Sequence, residues 1–221
     1  MLAYVLEACR RAGCSRLITV IGHEADRVRR TFEELDHDVD WAEQTEQLGT
    51  GHAVRCAAGR FAGHVGEVLV VAGDGPLLRA ETLRKLLATH RAERAACTLA
   101  TSVLPEPGRY GRILRGEGGE LLGIVEYLDA TDEQRRIREV NVSLYCFDAQ
   151  ALREALPRLT NRNAKKEYYL TDVLGLLRAD GAKLAAVPAV PPEEVLGINT
   201  PEELEQVNRI MAGRLAERTT P

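Results

Sequence analysis

Residues 67–78 read Glu67-Val-Leu-Val-Val-Ala-Gly-Asp74-Gly-Pro-Leu-Leu, an apolar strand that ends beside a single carboxylate and a glycine. In open α/β sheets ligands gather outside the carboxyl ends of strands, and a Mg²⁺ held by one or two carboxylates plus substrate phosphates asks little more of the protein. Asp74 is thus a candidate metal ligand, with nucleotidyl transfer onto a sugar phosphate as the chemistry it would serve. The alternative is an acidic cap on the segment that follows. Glu46-Gln-Leu-Gly-Thr-Gly-His52-Ala is a glycine-containing turn running into a helix, where free N–H groups can receive an anion or a carbonyl-rich base. Glycine in such a turn can equally be conformational. Asn199 stands before Thr200-Pro201-Glu202-Glu203, a capping box with proline at the first helical position, so its amide is pinned just outside a helix, as a ligand or only as a helix entry. No Ser/His/Asp or Cys/His arrangement emerges, and His23, His37, His52, His64 and His90 read as surface or structural histidines.

These residues need elements to position them, and helical and strand patterns alternate along the chain. Leu2, Val5, Leu6 and Cys9 share one face of an opening helix that Gly13 can terminate. Arg16 to Ile21 reads as a strand, Glu24 to Leu35 as a helix, Val39 to Ala42 as a strand, Thr50 to Phe61 as a helix, Val68 to Val71 as a strand and Glu81 to His90 as a helix. This βαβ rhythm implies an α/β domain with a mostly parallel sheet. Past Ala96, Cys97 to Val103 is strand-like and Tyr110 to Tyr127 reads as a hairpin turning at Gly116-Glu-Gly-Gly119, a small β insertion suited to substrate contacts. Glu139 to Phe147 returns as a strand, Asp148 caps a helix, Thr171-Asp172 opens another, and Lys183 to Val187 and Val195 to Ile198 are the last strands. One domain over 1–221 suffices, with no internal repeat.

Composition excludes several classes of function. At 221 residues, 45% hydrophobic and 28% charged, the chain can bury one sizeable core. A net charge of -4, with both signs interspersed, offers no basic face for nucleic acid. No apolar run approaches the ~18 residues of a membrane span. Cys9, Cys14, Cys56, Cys97 and Cys146 are odd in number and scattered, which reads as reduced thiols in the cytoplasm rather than a disulfide frame.

Taken in order, these segments resemble the uridylyltransferase domain of bacterial N-acetylglucosamine-1-phosphate uridylyltransferases, along nearly the entire chain. The blocks are Gln44, Glu46 to Ala53, Gly73-Asp74-Gly-Pro-Leu77, Tyr110-Gly-Arg-Ile113, Gly123-Ile-Val-Glu126, Asp129-Ala-Thr-Asp-Glu-Gln134, Glu167-Tyr-Tyr169 with Thr171-Asp172, and Gly197-Ile-Asn199. The resemblance implies a Rossmann-like, mostly parallel sheet of the nucleotide-diphospho-sugar transferase type, acting on UTP and N-acetylglucosamine 1-phosphate with Mg²⁺. It makes Gln44 and Gly49 readers of the uracil and Thr50 a further nucleotide-sugar contact. Ala72 and Gly73 border the nucleotide, Asp74 and Asn199 match the metal ligands, and Gly111, Glu126 and Asn141 match sugar-binding positions. Glu167 and Tyr169 lie in a block that borders the sugar.

Departures from that pattern carry expectations of their own. The family's first strand, its Gly-x-Gly-Thr-Arg-Met loop and a downstream lysine, which grip the triphosphate, have no counterpart among these residues, because Met1-Leu-Ala-Tyr-Val aligns just after that loop. The domain is therefore expected to lack a central strand, exposing two rows of unpaired backbone groups and impairing catalysis. Ala72 stands where relatives carry a tyrosine near the ribose, and Val142-Ser143 follow Asn141 where Thr-Gly is frequent. The helix over 200–221 would lead into a β-helix acetyltransferase domain, of which these residues hold no repeat, and an oligomer is possible. The competing function is a nucleotide-sugar-binding or regulatory module without turnover.

Overall fold

The computed structural model describes residues 1–33, 38–188 and 190–219. Its elements, in order, are α1 (Leu2–Arg11), β1 (Leu17–Ile21), α2 (Ala25–Glu33), β2 (Val39–Glu43), α3 (Thr50–Ala57), β3 (Glu67–Val71), α4 (Ala80–Glu93) and β4 (Cys97–Val103). There follow β5 (Arg112–Arg115), β6 (Leu121–Val125), α5 (Asp132–Arg135), β7 (Glu139–Asp148), α6 (Ala149–Ala155), α7 (Asp172–Ala179), β8 (Leu184–Pro188) and α8 (Pro201–Thr219). His37, the expected end of the second helix at Leu35, and residues 220 and 221 lie outside the described residues.

β7 organises the main sheet. Its ten residues carry β4 along one edge, and β3 and then β5 along the other, in an order β6-β5-β7-β4-β8 with β3 attached to β7. β3, β4 and β5 each pair with β7 antiparallel while β8 runs parallel to β4, so β3, β4, β5 and β8 share one direction and β7 and β6 oppose it. The mixed α/β fold with most strands aligned is thus present, but the reversed β7 in its middle makes many of the ladders antiparallel. The hairpin β5–β6 joins this sheet through the Arg112↔Val140 pairing instead of standing apart.

Alternation along the strands sends side chains into two cores. Cys97, Leu99, Tyr145 and Phe147 face α3, α6 and α7 on one side, and Ala100, Leu144 and Cys146 face α1 and α4 on the other. β1 and β2 form a separate parallel ladder, with Leu17 opposite Val39 and Ile21 opposite Glu43. Among the described residues β1 pairs only with β2 and β3 only with β7, so the sheet is interrupted between β1 and β3. The cores nevertheless run across the break: Ile18 and Val20 share one apolar cluster with Val68 and Val70, and Leu17 shares the other with Leu69 and Val71.

One expected strand is corrected. Val195 to Ile198 is irregular, because its contacts are single anchors and not a ladder: the Ile198 N–H donates to the Asp74 carbonyl at 3.1 Å, and the Val195 carbonyl accepts from the Tyr110 hydroxyl at 3.0 Å.

Candidate active site

Two of these anchors bring Asp74 and Asn199 together from opposite ends of the sequence. β3 ends at Val71 and delivers Asp74 two residues past Ala72, on an exposed rim. Opposite it, the Asn199 N–H donates to Glu203 Oε2 at 2.6 Å, the Thr200 N–H donates to the same oxygen at 2.9 Å, and the Glu203 N–H donates to Thr200 Oγ1 at 3.2 Å. That reciprocal cap begins α8 and leaves the Asn199 side chain outside it. Gly197 lies between: a Cβ there would stand 3.2 Å from Asp74 Oδ2 and 3.7 Å from Asn199 Nδ2. The carboxylate and the amide therefore face one small space that a side chain at position 197 would fill. One hard anionic oxygen and one neutral amide fit a Mg²⁺ that keeps most of its ligands as water and phosphate. Among the described residues no group of three or more His, Cys, Asp or Glu could hold a metal.

The second part of the site is built on the glycine-containing turn before α3. Gly49 sits at φ 105° and ψ 176°, a region that side chains avoid, and a Cβ there would meet Glu167 Cβ and the Tyr168 carbonyl, both at 2.8 Å. The turn is laced to residues 168–170: Tyr168 N–H donates to the Leu48 carbonyl at 2.8 Å, Gly51 N–H to the Tyr168 carbonyl at 2.7 Å, and Leu170 N–H to Thr50 Oγ1 at 3.0 Å. Thr50 thus accepts from the protein and keeps its own O–H to donate. The Gln44 amide follows β2, where it donates to the Gly49 carbonyl at 3.0 Å and meets His52 Nδ1 at 3.0 Å. His52 therefore orients a predicted base reader, a role the sequence did not single out. Its position eight residues after Gln44, on the first turn of α3, was the available signal.

The third part lies around β5, β6 and β7. Glu126, just past β6, accepts from Thr171 Oγ1 at 3.1 Å, and its acidity is weakened chiefly by burial, with Asp129 and Asp172 adding to the effect. Gly111 backs onto this carboxylate, a Cβ there standing 3.4 Å from Glu126 Oε2, and its carbonyl accepts from the Asn141 N–H at 2.9 Å. The Asn141 side chain is occupied locally: Nδ2 donates to the Tyr145 hydroxyl at 2.6 Å and Oδ1 accepts from the Ser143 N–H at 3.1 Å. It braces a bulge in β7 opposite Ala100, where Ser143 is held at φ 56°. One amide proton and one lone pair remain for a ligand. The Tyr169 hydroxyl is buried without a protein hydrogen bond, and burial beside Asp129, Glu126 and Glu167 pushes its pKa up to about 12. The Glu167 N–H and carbonyl are both held by Asn163.

Two further residues tie the parts together. Tyr110, adjacent to Gly111, holds the Val195 carbonyl and lies near enough to Asp74 that this carboxylate, after burial, resists ionisation of the phenol. Arg112, 2% exposed, donates to the carbonyls of Tyr110, Gly108 (2.8 Å) and Arg135 (3.2 Å) and lies over the Tyr127 ring. Asp129 to Gln134 folds as a capped turn, with the Gln134 N–H donating to Thr131 Oγ1 and the Thr131 N–H to Gln134 Oε1, while Asp129 Oδ1 accepts from the Ala164 N–H at 2.9 Å. Ala72 and Gly73 sit beside Asp74, the Ala72 N–H donating to the Ser143 carbonyl at 3.3 Å and Gly73 lying against Leu2.

A mixed α/β sheet whose polar residues cluster past the ends of β2 and β3, beside a glycine turn at a helix N-terminus, defines a nucleotide-handling α/β transferase. The chain belongs to the MobA-like NTP transferase domain family, which matches residues 1–167, and is thereby a member of a nucleotidyltransferase family. It is 44% identical over 217 residues to the bifunctional protein GlmU of Geobacter sulfurreducens, covering 98% of this chain and 45% of that protein. Identity is 45% over 215 residues to GlmU of Geobacter metallireducens, covering 97% of this chain and 45% of the relative. With GlmU of Brevibacillus brevis it is 42% over 225 residues, covering 100% and 48%. The chain thus spans about half the length of the curated relatives it matches.

Proposed function

We propose that this site transfers UMP from UTP to N-acetylglucosamine 1-phosphate, giving UDP-N-acetylglucosamine and pyrophosphate. The observation that carries the reading is the convergence of Asp74 and Asn199 on the space beside Gly197, and the glycine turn held by Gln44 supports base recognition in the same domain. A phosphate oxygen of the sugar phosphate attacks the α-phosphorus of UTP in line, the new P–O bond forming as the bond to pyrophosphate breaks. The nucleophile is already anionic, so no protein base or covalent intermediate is required, and the protein's work is positioning and charge compensation. Asp74 and Asn199 would hold Mg²⁺, which when bound offsets phosphate charge. Gln44, whose amide nitrogen is held by Gly49 and His52, turns its carbonyl oxygen to the N–H of an imide edge, Gly49 admits the base close to the backbone, and Thr50 donates its hydroxyl proton. Glu126 accepts from sugar hydroxyls, Gly111 leaves room for the ring, and Asn141, Glu167 and Tyr169 line its surroundings. Five free thiols support a cytoplasmic setting.

The break between β1 and β3 supports a second reading for residues 1–221 taken alone, a nucleotide-sugar-binding module without turnover, because the resemblance puts its first strand and triphosphate loop there. One experiment separates the two: Mg²⁺-dependent pyrophosphate release from UTP and N-acetylglucosamine 1-phosphate, measured on 1–221 and on a form extended upstream with a strand and Gly-x-Gly-Thr-Arg loop. Release that disappears in Asp74→Ala establishes the transferase. Binding of UDP-N-acetylglucosamine by both forms, with release by neither, establishes the module.

A further inference from the structure

The C-terminus of α1 is closed by a left-handed residue, Gly13 at φ 99°, with the Gly13 N–H donating to the Arg10 carbonyl at 2.9 Å and the Cys14 N–H reaching back to the Cys9 carbonyl at 3.1 Å. These two bonds are the Schellman pattern, whose geometry brings the side chains of the third-last helical residue and of the second residue past the cap into contact. An apolar pair usually fills those positions; here they are Cys9 and Cys14. Cys14 packs against the same apolar cluster that buries Cys9. A bond across this single turn also keeps the two backbones within the reach that disulfide geometry demands.

We propose that Cys9 and Cys14 form a peroxide-sensitive dithiol, an oxidative modification site that closes to an intrachain disulfide across the helix cap. Cys14 is the partly exposed member and Cys9 is buried, so oxidant meets Cys14 first. The neighbouring Cys9 thiol lowers the Cys14 pKa to about 7, which supplies thiolate at neutral pH, while the same neighbour and then burial hold Cys9 as the thiol. The Cys14 thiolate attacks a hydroperoxide, forming S–O as O–O breaks and, with one proton, releasing water or the corresponding alcohol. The Cys9 sulfur then displaces hydroxide from the sulfenic acid, forming S–S as S–O breaks, and its proton leaves in a second water. Two thiols lose two electrons and two hydrogens to the peroxide. The other cysteines are poorly placed to compete. Cys97 and Cys146 are fully buried with their thiols pushed up by burial, and Cys56, partly exposed like Cys14 and with its sulfur 3.8 Å from His52, has no second cysteine placed to resolve a sulfenic acid among the described residues.

The test exposes the native chain to a few equivalents of hydrogen peroxide, alkylates residual thiols, and digests with trypsin without reduction. Cleavage after Arg10, Arg11 and Arg16 separates the two cysteines, so the disulfide is read directly as peptide 1–10 joined to peptide 12–16. The expected result is that joined species, reversed by dithiothreitol, in monomeric protein on a non-reducing gel, before Cys56, Cys97 or Cys146 is modified. Cys9→Ser should leave Cys14 as a sulfenic acid trapped by dimedone, and Cys14→Ser should leave Cys9 a thiol. Sulfinic acid at Cys14 without the joined peptides, a disulfide dimer of chains, or first oxidation at another cysteine would overturn the assignment.

Discussion

Gly49→Ala is the sharpest test of how the nucleotide side of the site is built. The backbone at φ 105° and ψ 176° is open to glycine almost alone, so alanine incurs roughly 1–3 kcal/mol of strain. Its Cβ would also land 2.8 Å from the Tyr168 carbonyl oxygen and 3.1 Å from the Tyr168 nitrogen, atoms that cannot swing away as a side-chain tip would. Relief requires residues 167–168 to retreat, weakening the bonds Tyr168 N–H to Leu48 and Gly51 N–H to Tyr168, each worth about 1 kcal/mol. Together this is about 3–5 kcal/mol, a large share of the 5–15 kcal/mol that holds an ordinary domain folded. Urea unfolding followed by the single tryptophan, Trp41 on β2 and edge-on to Phe32, reads the change close to its origin. Gly175→Ala is the control: on the exposed face of α7, with nothing within 4 Å of its would-be Cβ, it should gain about 0.5–1 kcal/mol. A loss below about 1 kcal/mol in Gly49→Ala, or equal losses in both variants, would refute the reasoning.

Three further outcomes follow from single contacts. Ser143→Gly relieves a serine held at φ 56° and should raise stability by about 0.5–1 kcal/mol in the same urea assay. Arg112→Met leaves three part-buried carbonyls without their donor and should cost about 2–3 kcal/mol, with Arg112→Lys recovering part of it. Burial raises the folded-state pKa of Glu126 above its unfolded value, so the folded form binds more protons between the two and Glu126 lowers stability as pH rises through that window. Glu126→Gln, which keeps an oxygen to accept from Thr171, should therefore gain on the parent protein as pH rises from 4 to 7 and lose that advantage below 4. A constant difference across the range would locate the effect elsewhere.

Much of this was legible from local pattern. The Gly13 stop, the Asp148 cap with its bond to Ala151 N–H at 2.8 Å, the 116–119 turn and the Thr200–Glu203 box all stand where their residue types require them. Val195 to Ile198 was misread because its apolar residues answer to isolated anchors, Tyr110 and the Asp74 backbone, which no periodicity announces. The reversal of β7 is likewise a tertiary fact. A strand buried on both faces reads the same in either direction. The Asp129–Gln134 string was legible as a family signature but not as a mechanism, and its residues are spent on a capped turn and on the Ala164 N–H. The sequence reads His52 only as a surface or structural histidine, and its place eight residues after Gln44 hints at, without fixing, the side chain it meets.

The distribution of contacts also separates what depends on the sheet break from what does not. Gly111 precedes β5, Glu126 follows β6 and Asn141 lies on β7, strands of one hydrogen-bonded sheet, and Asp74 follows β3 on the same sheet. Gln44 follows β2, whose described pairing is to β1 alone, so the proposed base-reading side is joined to the rest of the site by the glycine turn with residues 168–170 and by the apolar cores that cross the break. Those bonds end at Leu170, one residue before Thr171, whose hydroxyl donates to Glu126, so the turn and the proposed sugar side are linked through a short stretch of backbone. Gly49 and Gly51 are what allow this link, because the Tyr168 backbone packs so close to both that a Cβ on either would collide with its carbonyl oxygen.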